Sequence, residues 1–261
     1  MISLIEKDSL RIKNPSMFIK HPREGVSDKY SFVDTEDIMD TFLENGFHIS
    51  RASSVKARKL ENRDHCKHIV AFRRNDENWI TDPRGNKPMF PEIIMTNSSD
   101  AKNSISLLLG IYTLVCSNGL IRGTSYETLR MRHTNIQMDL LNSYIQHFQG
   151  NIDNLSKQVS SFASRILDDK TRIDFATKAA AIRWNSDIKL NPESLLMTRR
   201  DEDRGNDLWS TYNVVQENII RGGVSTFGRS RDRFTRPVRS TVKDFDINTK
   251  LWNLAESYVL N

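Results

Sequence analysis

Two cysteines in 261 residues, and no apolar run of membrane-spanning length, exclude several classes of protein at once. Cys66 and Cys116 form neither a zinc spacing nor a disulfide framework, which fits a reducing cytoplasm. The longest apolar run, about residues 106–116, is far short of the ~20 residues that cross a bilayer. No charged-then-apolar leader opens the chain, so a soluble, cytoplasmic protein with no membrane partner is expected. There is no G-x-x-x-x-G-K-[ST] loop, no G-x-S-x-G elbow and no H-E-x-x-H helix. ATP-driven motor and hydrolase chemistry are therefore not expected, and no cofactor is implied.

What the chain does have is a modest positive excess, +5, placed unevenly. Residues 51–74 carry Arg51, Lys56, Arg58, Lys59, Arg63, Lys67, Arg73 and Arg74 against only Glu61 and Asp64. Residues 221–243 carry Arg221, Arg229, Arg231, Arg233, Arg236, Arg239 and Lys243 with Asp232 as the sole acid, and Phe227 and Phe234 are interleaved with them. Gly222, Gly223, Gly228 and Pro237 argue against regular structure in that second stretch. A flexible Arg-rich segment with aromatics suits a phosphate backbone with unstacked bases. The plainer alternative for either cluster is a solvated surface. Arg122, Arg130 and Arg132 add cations nearby in sequence and shift the balance toward a nucleic-acid partner.

Periodicity orders the rest. Residues 1–30 show no sustained pattern and are expected to be an arm or a loosely packed strand. Residues 31–261 are expected to form a single α+β domain, with a sheet region over 47–133 and a helical region over 134–261 that includes an Arg-rich loop at 221–245. A short helix over 34–45 has an acidic first turn and ends at Gly46. Strands are expected over 47–58, 65–74, 79–81, 92–95, 104–116 and 128–133. Leu141, Ile145, Phe148, Ile152, Leu155, Val159, Phe162 and Ile166 then recur at intervals of 4, 3, 4, 3, 4, 3 and 4. That is the stripe of a helix roughly 45 Å long, lying across the sheet or, alternatively, serving an oligomeric contact. Further helices are expected over 171–184, 206–220 and 246–260.

Catalytic constellations are weak. His65-Cys66-x-His68 lacks further zinc ligands. Asp100, Glu127, Asp139, Asp153, Asp168 and Asp169 have no spacing that converges on Mg²⁺, which argues against a nuclease. Cys116 would need a base such as His133 and reads more simply as core. Asn97 and Asn118 sit at strand ends, where Asn caps turns. His133, between Arg132 and Thr134, is open to phosphate contact, a structural hydrogen bond or catalysis, with Thr134 or Asn135 as the N-cap of the long helix.

Three segments carry a resemblance. Thr96-Asn97-Ser98-Ser99-Asp100-Ala101, Val115-Cys116-Ser117-Asn118-Gly119 and Arg130-Met131-Arg132-His133-Thr134 follow one another in the order of a family from phages, plasmids and integrated elements, domain of unknown function 932. That family shows a T-N-S-H-D-G-like turn, a strand ending V-C-x-N, and R-x-R-H-T before a long helix. Trp209-Ser210-Thr211-Tyr212-Asn213-Val214-Val215-Gln216-Glu217 is similar to its W-x-x-Y-N-x-x-x-E helix. Ser99 and Ala101 depart from the His and Gly of the first turn.

By element order, a β-β-β-α core of antiparallel meander against a long helix also resembles the single-strand annealing proteins of the RecT, Redβ and Erf type. That resemblance implies a homo-oligomeric, ATP-independent protein of homologous recombination in a bacterial host cell. Its partner would be single-stranded DNA, with a phage exonuclease or host single-strand binding protein as further partners. The DNA would meet Lys56, Arg58, Lys59, Arg63, Arg122, Arg130, Arg132, His133, Phe227, Arg229, Arg231, Arg233, Phe234 and Arg236, with Asn97, Asn118, Trp209, Tyr212 and Asn213 structural. An anti-defence protein that binds a host protein, and a metal-dependent nuclease, are the alternatives.

Overall fold

The computed structural model describes residues 5–54, 64–74, 80–81, 83, 88–101, 103–113, 122–131, 133, 138–184, 189–227, 234–239 and 241–259. The fold is α+β. Where one domain is expected over 31–261, the chain divides into two compact units: Met1–Ile80, Phe90–Gly110 and Tyr126–Ile152 form the first, and Thr81–Met89, Ile111–Ser125 and Asp153–Asn261 the second.

The sheet contains β1 (Phe47–Ser54), β2 (His68–Arg74), β3 (Ile80–Thr81), β4 (Pro88–Asn97), β5 (Ile105–Thr113) and β6 (Arg122–Met131). Its order is β1-β2-β4-β5-β6, with β3 beside β4. β1 and β2, and β2 and β4, pair antiparallel, and His68 stands opposite Asn97. Strands alternate faces, so a regular β1 would put Ile49 and Arg51 on the same side. The register shifts between them. This bulge leaves Ile49 in the core, 1% exposed, and moves Arg51 to the opposite face, where it meets Glu92 at 2.7 Å.

In the first unit α1 (Lys7–Lys13) precedes α2 (Thr35–Glu44). The Asp34 side chain caps α2 by accepting from the Glu36 N–H at 2.8 Å. Ile38, Met39 and Phe42 are buried. Phe42 stacks on Phe72 of β2 with ring centroids 4.0 Å apart and meets Phe47 edge-on at 5.3 Å. Full burial of each such ring stabilises by roughly 1.5–3 kcal/mol. The segment read as an arm is structured over the described residues: Leu10 and Met17 are buried, and Lys7 and Arg11 pair with Asp40 and Glu36 at 2.6 Å each. The sequence conceals this because a helix of seven residues buries only Leu10 and draws its remaining support from acids more than twenty residues away.

The long helix is α3 (Met138–Ser164). Leu141, Ile145, Leu155, Val159 and Phe162 of its stripe are buried within the single chain, so these positions do not form an exposed coiled-coil seam. Phe148 and Ile152 lie among side chains not described. Ile166 falls beyond the helix and is exposed.

In the second unit Phe162 packs not on a sheet but on Trp252, at 4.9 Å, and on Tyr212, at 6.5 Å. Those residues belong to α6 (Thr241–Val259) and α5 (Leu208–Arg221), which with α4 (Asp169–Trp184) form a helical body. Trp209, Tyr212 and Trp252 make mutual ring contacts of 5.6–6.4 Å and are fully buried. A two-stranded ladder, β7 (Lys189–Leu190) with β8 (Thr226–Phe227), completes this unit. α5 ends at Gly222, whose φ of 69° favours glycine; a Cβ there would lie 2.6 Å from the Thr235 oxygen.

Candidate functional site

In the first unit the end of β4 carries the first motif turn. His68 Nδ1 lies 3.1 Å from the Cys66 carbonyl, which can only accept, so this nitrogen carries the proton. Nε2 is then an acceptor and takes the Thr35 hydroxyl at 2.9 Å. Thr35 Oγ1 in turn accepts from Asn97 Nδ2 at 2.9 Å, and Asn97 Oδ1 accepts from the Ser98 N–H at 2.8 Å. This relay is buried and fully directed. It fixes His68 as a neutral structural histidine, and burial pushes its pKa down to about 4. Both of its nitrogens are consumed, which removes it from any zinc set with His65 and Cys66. Among the described residues no three His, Cys, Asp or Glu are placed to hold a metal. Asn97 is thus a structural residue that ties α2 to the strand end.

The turn that follows is fixed locally. Ser98 Oγ donates to Asp100 at 2.8 Å and accepts from Asn103 at 3.2 Å, and the Ser99 carbonyl accepts from the Arg23 N–H at 2.9 Å. Ala101 takes φ of 58°, the left-handed region, at the position where the resembled turn has Gly.

Tyr30 joins this turn to the second motif. Its hydroxyl donates to the Ser98 carbonyl at 3.3 Å while its ring stacks on His133, centroids 4.7 Å apart and planes at 22°. His133 is only 6% exposed. Its Nδ1 donates to the Ser31 carbonyl at 3.3 Å, and its own carbonyl accepts from the Ser31 N–H at 2.5 Å. Nε2 is buried and has no partner. Burial depresses the His133 pKa, and the Asp100 charge acts against that shift. Burial and the same carboxylate push Tyr30 up to about 12. Lys67, half-buried, is lowered by burial and then by the Arg130 charge beside it. His65 is also lowered, chiefly by burial, and has a buried, unpartnered Nδ1 beside His21, whose ring is 5.6 Å away.

The basic stretch over 51–74 is only partly available to a partner. Arg73 is buried, donates to Glu92 at 2.6 and 3.2 Å, and lies over the Phe90 ring at 4.2 Å. Arg51 reaches the other Glu92 oxygen. Linear charge counting misses this neutralisation because Glu92 arrives across the sheet from another strand. Lys56, Arg58, Lys59 and Arg63 lie outside the described residues, as do Arg132, Asn118, Thr134 and Asn135. Arg122 is placed on β6 without a described side chain; Arg130, later on that strand, is exposed.

In the second unit Phe227 and Phe234 are 57% and 59% exposed. Phe227 pairs with Lys189 across the β7–β8 ladder, and Phe234 bridges Ser225. Gly223 N–H donates to the Thr235 carbonyl at 2.7 Å and Thr235 N–H to the Val224 carbonyl at 2.8 Å. Arg236 and Arg239 follow, both exposed. Arg183, stacked on Trp184 at 4.6 Å, donates to the Arg236 carbonyl and is lowered to about 10 by burial. Arg229, Arg231 and Arg233, between the two phenylalanines, lie outside the described residues. The α5 motif residues are structural: Asn213 donates to the Trp209 carbonyl at 2.7 Å, and Glu217 pairs with Arg200 at 2.6 Å and Arg221 at 2.8 Å. Trp209 and Tyr212 belong to the aromatic core, so this motif holds α5 in place.

The expected DNA-binding set is therefore divided between the two units, with Arg130 and His133 in the first and Phe227, Phe234 and Arg236 in the second. Sequence reasoning missed Tyr30 and Ser31, which reach His133 from another part of the chain.

Comparison with known proteins agrees with the motif order. The family model Domain of unknown function (DUF932) matches residues 22–252. The chain is 32% identical over 245 residues to UPF0380 protein YafZ of Escherichia coli (strain K12), covering 93% of this chain and 87% of that protein. It is 31% identical to UPF0380 protein YfjQ of the same organism over the same shares. No solved structure matches, and the resemblance to annealing proteins of the RecT, Redβ and Erf type is not supported. No described helix is long and apolar enough to cross a membrane. The chain belongs to the DUF932 family.

Proposed function

We propose that this member of the family binds single-stranded DNA without ATP, through the segment that carries Phe227, Phe234 and the surrounding arginines. The observation that carries it is the pair of large apolar rings left more than half exposed beside backbone that the Gly223–Thr235 and Val224–Thr235 hydrogen bonds fix. Phe is ordinarily buried, and leaving one in water forgoes roughly 1.5–3 kcal/mol. Stacking on unpaired bases would recover that, at about 1–3 kcal/mol per base. Arg236 and Arg239 supply exposed cations beside the rings, and Arg229, Arg231 and Arg233 lie between them in sequence. Holding a strand extended with its bases accessible needs no nucleotide hydrolysis, so annealing of complementary strands is the activity such a surface would serve.

The test is fluorescence anisotropy with short single- and double-stranded oligonucleotides at two salt concentrations, with a Mg²⁺ cleavage control. Salt-sensitive binding that prefers single strands and leaves them uncut supports the proposal. It is abandoned in favour of a protein partner if no binding occurs at low salt. Replacing Arg229, Arg231 and Arg233 by Ala weakens binding broadly while the far-UV circular dichroism is unchanged.

A further inference from the structure

Strand register fixes where the two exposed phenylalanines stand. Ser225 bridges Phe234 in antiparallel pairing, so these two side chains share one face of the ladder. Phe227 lies two residues beyond Ser225 along β8, and because strands alternate faces it projects on that same side. Exposure follows the alternation: Ser225, Phe227, Phe234 and Arg236 are exposed, whereas Val224 and Thr235 are buried. Phe227 and Phe234 are therefore diagonal neighbours, a relation that separates residues by about 7–8 Å. Neither ring covers the other, since each remains more than half exposed.

The backbone on both sides is held. β8 pairs with β7, which sets Lys189 opposite Phe227. Toward Phe234, the Val224 N–H donates to Thr235 Oγ1 at 3.1 Å and the Val238 N–H to the Ile220 carbonyl at 2.8 Å. Arg183, at the end of α4, donates to the Arg236 carbonyl. The separation of the two rings is thus a property of fixed backbone, and it can be compared with what a planar ligand needs. One flat ring inserted face to face between two others requires about 7–8 Å between the outer pair, twice the roughly 3.5–4.0 Å of a carbon–carbon contact. Two stacked rings would require about 10.5 Å or more.

We propose that Phe227 and Phe234 form a clamp for one unpaired base of a nucleic-acid strand, with one phenylalanine on each of its faces. The inference rests on the reading of this surface as a single-strand site and specifies what that site holds. Arg236, two residues beyond Phe234 on the same face, and Arg239 supply exposed cations for the phosphates that flank the inserted base. Every base has two π faces, so the clamp is indifferent to sequence and selects for a base released from its neighbours. A base within a duplex is stacked above and below and does not enter.

The experiment measures affinity of the full chain at low salt by competition against a labelled single-stranded oligonucleotide. The competitors are strands of equal length that are fully abasic, carry one central thymine, or carry two adjacent thymines, together with thymidine 5′-monophosphate. The first thymine is expected to tighten binding by about tenfold or more, and the second by less than about threefold. Phe227→Ala and Phe234→Ala each remove most of the gain from the single thymine, and the double variant removes little more, the coupling expected of two rings on one base. Both rings are exposed, so these variants keep the far-UV circular dichroism of the parent. The clamp is overturned if one thymine gains nothing over the abasic strand, or if the second adds as much as the first and each variant removes half, which assigns one base to each ring. It is also overturned if the mononucleotide competes as well as the single-thymine strand, which makes the ligand a free nucleotide. If the labelled oligonucleotide itself does not bind, the single-strand reading falls and the clamp with it; if it binds without this dependence on one base, the clamp alone falls.

Discussion

Replacing Glu92 by Gln isolates a buried ion pair of the first unit. Glu92 has a side chain 1% exposed and faces Arg73, 5% exposed, and Arg51, 27% exposed. Gln keeps the shape and one acceptor oxygen, but its NH₂ group then faces a guanidinium donor, and the Arg73 charge remains buried against Phe90. Removing one partner of a buried ion pair costs about 3–5 kcal/mol, because the surviving charge is left uncompensated. Against a typical total of about 5–15 kcal/mol, this is a large fraction of the stability. Adding Arg73→Met to Glu92→Gln removes that charge and recovers most of the loss, a coupling of more than about 1 kcal/mol. Urea denaturation followed by far-UV circular dichroism measures both variants, with the slope checked for constancy. A Glu92→Gln loss below about 1 kcal/mol, or no recovery in the double variant, would show that Arg73 is not the buried charge described here.

Other expectations follow from the same contacts. His68 is held neutral with a pKa of about 4, against 6.5 for the ordinary group, so the unfolded chain binds the extra proton between these values. Stability is therefore full above about pH 6.5 and falls by roughly 3 kcal/mol as pH drops toward 4. Glu36, lowered to about 2 by Lys20 and Lys7 against an opposing burial effect, contributes above about pH 4.5 and loses its share below that. Thermal unfolding across this range, with NMR titration of His68, checks the order; a His68 that titrates near 6.5 contradicts the relay. Ala101→Gly relieves the left-handed backbone and stabilises by about 1 kcal/mol, read as an increase in Tm. Gly222→Ala forces a Cβ into the Thr235 and Arg236 backbone and is expected to destabilise by several kcal/mol and to detach the 234–238 segment from α5, seen as lost amide protection at Val238.

Much of the fold was legible because local signals agree with their partners. The capped, amphipathic α2, the strand patterns and the stripe of α3 all specify elements that the structure contains. α6 begins at Thr241, five residues ahead of the expected start, where no apolar repeat marks it. The site was legible only in part. Turn chemistry draws attention to Asn97, and the R-x-R-H run to His133, but neither reveals that Thr35 satisfies one and Tyr30 covers the other. Those contacts depend on strand register and on the path of residues 20–35, which have no periodicity to read. Glu92 shows the same limit for charge. A basic count along residues 51–74 reads as an exposed patch until a carboxylate on β4 is seen to pair with two of its arginines.

The central claim, that exposed phenylalanines on the second unit grip unpaired bases, is tested most directly by replacing Phe227 and Phe234 with Ala. The readout is affinity for a fluorescent single-stranded oligonucleotide. Two stacking contacts at about 1–3 kcal/mol each predict a loss of roughly 30-fold or more, with stability unchanged because neither ring is buried. Affinity within about twofold of the unaltered chain would contradict the account.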